Sequence, residues 1–581
     1  MVNVVDMENK NFRTFGWVQD PSDFESLYKV VCIFNENSEM HKQLANKVIK
    51  KLVYKKDGRE RLLNALSKRP LKIAYADLVG TAFTPRSSAR CNGIVQATIK
   101  GQRRPYISDW PADNFVRWAQ ALGFIKYNYF DDSFEITEIG LEFSNSKNEK
   151  ERDECIELAL LSYPPAVRIL KLLETGQIMT KFELGKQLGF IGEDGFTSLP
   201  QDIFIMTLNE LDNTKERNKI KTDVEGSSDK YARMIAKWLE KLDLLKQVAK
   251  SVKVKIGNRE YEEDIGQSYI ITTKGLQVLN KTKGKSKYKM ISKNISWEMF
   301  ATKGKDRNYI RTRRAYILKT LIEGGKPLTL KEIEEKLQFN AISEYYTVIE
   351  DDILGFINIG INIEIKDGKY SLNDSINDFT IPRIKSVTKS EVTEKKDKVR
   401  ESLDSLSHEY LSLIDLAFDS SQNRLFEIKV MELLLNECKY KGMHLGGSRK
   451  PDGIIYTDDL NKNYGVIIDT KAYSKGYNLP ISQADEMSRY ILENTRRDVK
   501  ENPNSWWDNF DGDIREYYFA FISSEFIGNI KEKLERIALT TKVNGVAIAI
   551  FTLLLLANNI KAERSSLKEI EKIFVNSEYI L

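Results

Sequence analysis

The strongest constraint on the fold is a pattern that recurs in the front half of the chain. Trp118-Ala119-Gln120-Ala121-Leu122-Gly123-Phe124-Ile125 leads through a polar turn at Asp131-Asp132 into Phe134-Glu135-Ile136-Thr137, then Gly140-Leu141. Trp238-Leu239-Glu240-Lys241-Leu242-Asp243-Leu244-Leu245 leads into Tyr269-Ile270-Ile271-Thr272, then Gly275-Leu276. Each predicts a helix ending beneath a hairpin, with another helix begun at Thr, the outline of a winged helix-turn-helix. A second echo joins other segments. Ile169 to Leu173 passes through Gly176 to Thr180 and a helix reaching Leu188; Ile317 to Leu321 passes through Gly324-Gly325 to Thr329 and a helix ending at Leu337. Both predict helix, glycine turn, Thr N-cap, helix. Ile363-Glu364-Ile365-Lys366 and Lys369-Tyr370-Ser371-Leu372 flank Asp367-Gly368, a hairpin signal that supplies a third wing. Three winged-helix-like α+β units are therefore expected at about 1–150, 151–292 and 293–378. Such units read DNA or dock proteins; three in a row favour nucleic acid.

A chain of 581 residues is too long for one core, and 41% hydrophobic with 10% aromatic residues supports folded units throughout. The longest apolar stretch, Val546 to Ala557, is too short to span a bilayer and predicts a buried strand or helix. The N-terminus has no signal-like apolar run, and four scattered cysteines form neither a disulfide framework nor a CxxC metal site. A soluble protein of a reducing compartment, with no membrane partner, is expected. The net charge of +5 is unevenly divided: residues 394–581 carry 26 Lys+Arg and 30 Asp+Glu, net −4, and the rest is net +9. A basic front suits phosphate contact, whereas a slightly acidic back would bind DNA poorly alone. Ordinary surface variation explains the same division equally well.

From Pro382 to Arg400 the chain is almost without apolar residues and carries seven basic and three acidic side chains. This predicts a solvated linker (379–393) running into a helix start, with an α/β domain beyond it from 394 to 581. There, Val466-Ile467-Ile468 is an apolar run of the kind found in central strands, and it ends in Asp469-Thr470-Lys471. Alternation along a strand puts Asp469 and Lys471 on one side. Upstream, Lys450-Pro451-Asp452-Gly453 enters the strand Ile454-Ile455-Tyr456. If the strands pair, Asp452 stands beside Asp469, and two carboxylates can hold a hard, oxygen-seeking cation. Lys471 then points at the attacking water or the phosphate, which is the equipment of phosphodiester hydrolysis. The bland alternative is an ordinary ion pair at a strand end, because acid-x-Lys triplets also occur at Glu427-Ile428-Lys429 and Glu394-Lys395-Lys396.

Longer strings are more specific. His444-Leu445-Gly446-Gly447-Ser448-Arg449-Lys450-Pro451-Asp452-Gly453, Asp469-Thr470-Lys471-Ala472-Tyr473-Ser474, Gly476-Tyr477-Asn478-Leu479-Pro480 and Gln483-Ala484-Asp485-Glu486-Met487 resemble the cleavage domain of the FokI-type type IIS restriction endonucleases. Arg13-Thr14-Phe15-Gly16-Trp17-Val18-Gln19 and Glu225-Gly226-Ser227-Ser228-Asp229-Lys230-Tyr231 resemble their recognition half, so the likeness covers essentially the whole chain. It implies winged-helix DNA-recognition subdomains followed by an α/β PD-(D/E)xK cleavage domain, in a bacterial, cytoplasmic enzyme. It also implies Mg²⁺ at Asp452, Asp469 and Thr470, with Lys471 completing the catalytic set. Glu427 ranks second, since a helical Glu beside Lys429 and Met431 is more often a solvated face. His408 and His444 are read as structural.

By the same resemblance Arg86, Trp110, Glu225 and Lys230 contact DNA, against the plain readings of a core tryptophan and a helix-capping acid. Asp20 stands where the family has Asn, and Thr222-Asp223-Val224 replaces a stretch with two asparagines and a tryptophan, so a GGATG-like site need not keep its letters. Asp485 and Arg489, four apart on a predicted helix from Ile481 to Asn494, imply a reciprocal pair across a transient twofold homodimer. From spacing alone they are an intrahelical surface pair. A cognate DNA methyltransferase is expected in the same system. The main alternative is a multi-winged-helix transcriptional regulator without catalysis, which leaves Asp452, Asp469 and Lys471 coincidental. A homing or repair nuclease would keep the chemistry and change the biology.

Overall fold

The computed structural model describes residues 17–80, 90–211, 213–256, 259–284, 289–384, 388–458, 461–511 and 513–581. Arg86 and the Arg13–Gly16 end of the recognition string lie outside them, as do the side chains of Thr222 and Asp223.

The front half contains three small antiparallel sheets built alike. Each has a short strand, Ile73–Ala74, Met179–Thr180 or Leu328–Thr329, bonded to the second strand of a hairpin. The hairpins are Ile125–Asn128 with Ser133–Ile136, Leu245–Ile256 with Arg259–Ile271, and Ile363–Lys366 with Lys369–Leu372. Threonines begin the flanking helices as the sequence predicts. Thr137 and Thr272 accept from the backbone of Gly140 and Gly275, and Thr180 and Thr329 form reciprocal capping boxes with Glu183 and Glu332. Gly140 and Gly275 recur because the helix crosses the hairpin closely: a Cβ there would lie 1.9 Å from the Phe124 carbonyl oxygen and 2.1 Å from that of Leu244. In the third wing Asp367 and Gly368 both have positive φ, the conformation a tight two-residue hairpin needs. The three units share one apolar core from Trp17 to Phe379, with Trp118 stacked on Trp238 at 5.1 Å.

The C-terminal unit is a single six-stranded mixed sheet with helices on its faces. We number its main elements α1 (Glu391–Ser402), α2 (Asn423–Glu432), β1 (Lys441–His444), β2 (Gly453–Tyr456), β3 (Asn463–Lys471), α3 (Ile481–Arg496), β4 (Ile514–Ser523), α4 (Ile530–Thr541), β5 (Gly545–Ala549), α5 (Ile550–Lys561) and β6 (Ser577–Tyr579). The strand order is β1-β2-β3-β4-β5-β6; β1, β2 and β3 are antiparallel neighbours, and β3 to β6 run parallel. The apolar stretch from Val546 to Ala557 divides between β5 and α5, and among the described residues no helix is long and apolar enough to cross a membrane.

The stretch expected to be a solvated linker is solvated only in part: Thr380, Arg383, Thr388, Glu391, Glu394 and Lys398 are exposed, but several of its neighbours are enclosed. Phe379 is buried against Phe300, and several charges further on are enclosed by partners distant in sequence. Lys396 donates to the Gly192 carbonyl and to Asp415, each at 2.6 Å. Arg400 pairs with Asp351 at 2.8 Å, and Lys389 bridges Glu344 and Asp397. His408 meets the same Asp351 at 2.9 Å. This network fastens α1 to the second and third front units. The second unit also docks directly: Phe182, Leu199, Ile203 and Leu208 belong to the core of the C-terminal unit.

Candidate active site

Asp452 is the residue before β2, and Asp469, Thr470 and Lys471 end β3. The register pairs Gly453 with Ile468, which brings the two carboxylates together at one end of the sheet. The Thr470 backbone N–H and hydroxyl donate to Asp452 Oδ2 at 2.7 and 3.0 Å. The Lys471 ammonium donates to Asp469 Oδ1 at 2.7 Å and stands 3.7 Å from Asp452 Oδ2. Asp469 and Lys471 thus share a side of the strand, as alternation requires.

Burial pushes both carboxyls above the ordinary aspartate range. For Asp469 the charge of Asp452 adds to the effect, and for Asp452 that of Glu427 does. Burial pulls Lys471 down, but Asp452 and Asp469 push it up and prevail. Two like charges held around one opposite charge in a poorly hydrated pocket differ from an exposed surface ion pair and are the kind of arrangement found at functional sites. Asp469 Oδ2 is buried without a hydrogen-bond partner. Among the described residues no three His, Cys, Asp or Glu side chains form a cation cage. Two carboxylates with one unsatisfied oxygen suit a hard cation that keeps several of its waters, as Mg²⁺ does.

Glu427, on α2, is not on a solvated face. Its side chain is 16% exposed, Arg424 Nη1 donates to its Oε2 at 3.0 Å, and His444 Nε2 lies 3.5 Å from the same oxygen. Burial raises its pKa, against the opposing charges of Arg424 and then Lys471. Its charge pushes both the Asp452 carboxyl and the Lys471 ammonium up. Arg424 lies one helical turn before Glu427, a signal the sequence carried; the ties of His444 had none.

In the front half, Trp110 is 47% exposed and so is not a core tryptophan. Its Nε1 donates to Asp20 Oδ2 at 3.3 Å, and Asn114 Nδ2 donates to the same oxygen at 3.1 Å. Trp110 and Asp20 are therefore direct neighbours, and Asn114, to which no sequence signal pointed, also holds the Asp20 carboxylate. Glu225 precedes the N-cap of the helix Ser227–Lys241, which carries Lys230. Its carboxylate is 8% exposed and held by Lys181 at 2.7 Å and Arg233 at 3.0 Å.

On α3, Arg489 pairs with Glu486 at 3.0 Å and Glu493 at 3.7 Å, whereas Asp485 pairs with Arg536 of α4 at 3.2 Å. The intrahelical Asp485–Arg489 pair suggested by spacing is not formed; each side chain is exposed and turned to another partner.

Winged-helix units ahead of a mixed sheet with Asp452, Asp469 and Lys471 at its strand ends define a restriction-endonuclease-like architecture. Family models agree: residues 13–146 match FokI recognition subdomain 1, 152–287 recognition subdomain 2, 300–368 the FokI D3 domain and 389–581 the FokI cleavage domain. The chain is 46% identical over 575 residues to the type II restriction enzyme FokI of Planomicrobium okeanokoites, covering 97% of this chain and 99% of that one. It is 36% identical over 589 residues to the type II restriction enzyme StsI of Streptococcus sanguinis, covering 98% and 96%. Solved structures of FokI, alone and bound to DNA, superpose with TM-scores of 0.92 and 0.93, covering 98% of this chain and 100% of each. The chain belongs to the FokI-type type IIS restriction endonucleases.

Proposed function

We propose that this enzyme binds a short asymmetric site on double-stranded DNA and hydrolyses both strands outside it, at staggered positions, with Mg²⁺ as cofactor. The observation that carries this reading is the buried Asp452–Asp469–Lys471 group at the β2 and β3 ends, with Asp469 Oδ2 unsatisfied. Asp452, Asp469 and Thr470 would hold the cation, which when bound supplies an acidified water and compensates charge on the phosphate. Asp452 is oriented for this by the two Thr470 donors. Lys471 places a positive charge beside the reacting phosphate, and Glu427 shapes the field around Asp452.

The units at about 1–150 and 151–292 would supply DNA contacts, with Arg86, Trp110, Lys230, Asp20 and Glu225 the nominated residues and 293–378 a third unit before the 394–581 cleavage domain. Asp20 offers only acceptors, which suit cytosine N4 better than adenine, so the site is GGATG-like in length rather than necessarily in letters. One active site addresses one strand, and a double-strand break therefore calls for a transient pair of cleavage domains through Asp485 and Arg489. A cytoplasmic setting and a protective methyltransferase follow from the restriction role. The test is plasmid cleavage with Mg²⁺, an EDTA control and Asp469→Ala alongside. Cleavage by the wild type alone, and only with the cation, supports the reading; intact plasmid throughout contradicts it.

A further inference from the structure

Asp452 stands at the end of a loop, and what holds that loop decides where its carboxylate points. Residues Leu445 to Asp452 join β1 to β2. The loop is closed at its base by Asp452 itself, whose carbonyl accepts from the Leu445 N–H at 2.9 Å and the Gly446 N–H at 3.3 Å. Its outer limb is Ser448-Arg449-Lys450-Pro451. Arg449 has a φ of 61°, a left-handed conformation that a non-glycine residue keeps only where its surroundings hold it.

The holding group is Asn502, fully buried in the loop that follows α3. Its Nδ2 donates two bonds, one to the Arg449 carbonyl at 3.0 Å and one to Glu493 Oε2 at 2.9 Å. Its Oδ1 accepts from the Asn504 N–H at 3.1 Å. A carbonyl and a carboxylate accept, and a backbone N–H donates, so the orientation of the amide is set by its partners. Glu493 projects from α3, is 6% exposed, and accepts a second bond at the same oxygen from Trp506 Nε1 at 2.9 Å. Its other oxygen lies 3.7 Å from Arg489. An acid buried on α3 thus fixes an amide, and the amide fixes the loop that ends in Asp452.

We infer that Glu493 and Asn502 are positioning residues for Asp452, which together pin the Arg449 end of its loop to α3. Lys450 and Pro451 alone separate the pinned residue from Asp452, and the proline ring fixes its own φ, so a shift at Arg449 is passed on to the carboxylate. Outer supports of this kind change metal affinity about 10–100-fold when they are removed. The helix that carries Glu493 also carries Asp485 and Arg489, so the support for Asp452 is built into the helix proposed to pair two cleavage domains. The inference rests on the proposed role of Asp452 in holding the cation.

Calorimetric titration of the full-length protein with Ca²⁺, a hard cation of the same charge as Mg²⁺, reads the site without turnover. Wild type should bind and Asp452→Ala should not, which tests the underlying role alone. Asn502→Asp keeps the shape but turns an acceptor towards the Arg449 carbonyl and Glu493, and it should weaken binding about tenfold. Glu493→Leu should do the same, whereas Glu493→Gln, whose Oε1 accepts both bonds, should stay within about twofold of wild type. In single-turnover cleavage Asn502→Asp and Glu493→Leu should need about tenfold more Mg²⁺ for half the maximal rate, and should approach the wild-type rate at saturation. Trp506→Phe removes the other donor to Glu493 and leaves the tie to the loop. It should lower the melting temperature without moving the Ca²⁺ affinity, as general loosening would. Unchanged Ca²⁺ affinity in Asn502→Asp, an equal loss in Glu493→Gln or Trp506→Phe, or a rate deficit that saturating Mg²⁺ leaves uncorrected would overturn the inference. Should Glu493→Leu fail to fold, the isosteric Asn502→Asp and Glu493→Gln still decide it. Absence of binding by the wild type would instead remove the proposed cation site, and this inference with it.

Discussion

Replacing Lys471 with Met removes the one ammonium between two buried carboxylates while keeping most of the side chain's bulk. At 2.7 and 3.7 Å, and an effective dielectric near 20, its attractions to Asp469 and Asp452 amount to about 6 and about 4 kcal/mol gross. Desolvation of the charges cancels much of that, and the loss of one partner from a buried pair costs about 3–5 kcal/mol. Both carboxyls already titrate above their unfolded values, so the native state binds protons that the unfolded state has released. Stability contributed by this site therefore falls as pH rises from the unfolded carboxyl value through the raised folded one. Without Lys471 the two carboxyls rise further and the fall steepens. Scanning calorimetry without divalent cation should show Lys471→Met melting well below wild type at pH 8 and close to it at pH 5. Calcium at pH 8, a counter-charge from solution, should restore the greater part of the loss. Equal melting of both proteins at pH 8, or a deficit indifferent to pH and calcium, would refute Lys471 as the counter-ion of the site.

Asp469→Ala and Lys471→Ala should abolish cleavage but bind cognate DNA within a few-fold of wild type in a gel-shift assay, because the readers and the carboxylates lie on different units. Arg489→Asp should suppress double-strand cutting on one-site plasmids, and mixing it with Asp485→Arg should recover it, since each variant supplies the charge the other repels. Residues from 394 onward, expressed alone, should cut or nick weakly and without sequence preference, given a net charge of −4. The fragment should also bind apolar dyes, because its core normally includes Ile203 and Leu208 of the second recognition unit.

The candidate triplet was legible because three properties coincide at one place: an apolar run long enough for a central strand, an acid and a lysine two residues apart at its end, and a Pro-Asp entering the neighbouring strand. The winged units were legible for a similar reason, since Thr caps and the Gly140 and Gly275 crossings recur at matching places. What the sequence hid was the partner of each charge. Lys396 and Arg400 look solvated in a polar segment, yet Asp415 and Asp351 enclose them from other elements. Glu225 shows no partner in the sequence, yet Lys181, forty-four residues earlier, is paired with it. Glu427 looks like a helix surface until His444 and Arg424 cover it. One overlooked signal was local. Ile203, Phe204, Ile205, Met206 and Leu208 make a helix apolar on every side, which a small winged unit cannot bury alone and which here packs into the cleavage domain.

That one half of this chain reads DNA and the other cuts it at a distance is the proposal on which the rest depends. Its most direct test is to digest a plasmid library with the full-length protein and Mg²⁺ and sequence both strands at every cut end. One asymmetric motif should be common to all fragments, with both cuts on the same side of it, staggered, and displaced by about one helical turn. Cuts inside a palindromic motif, or ends with no common motif nearby, would contradict it.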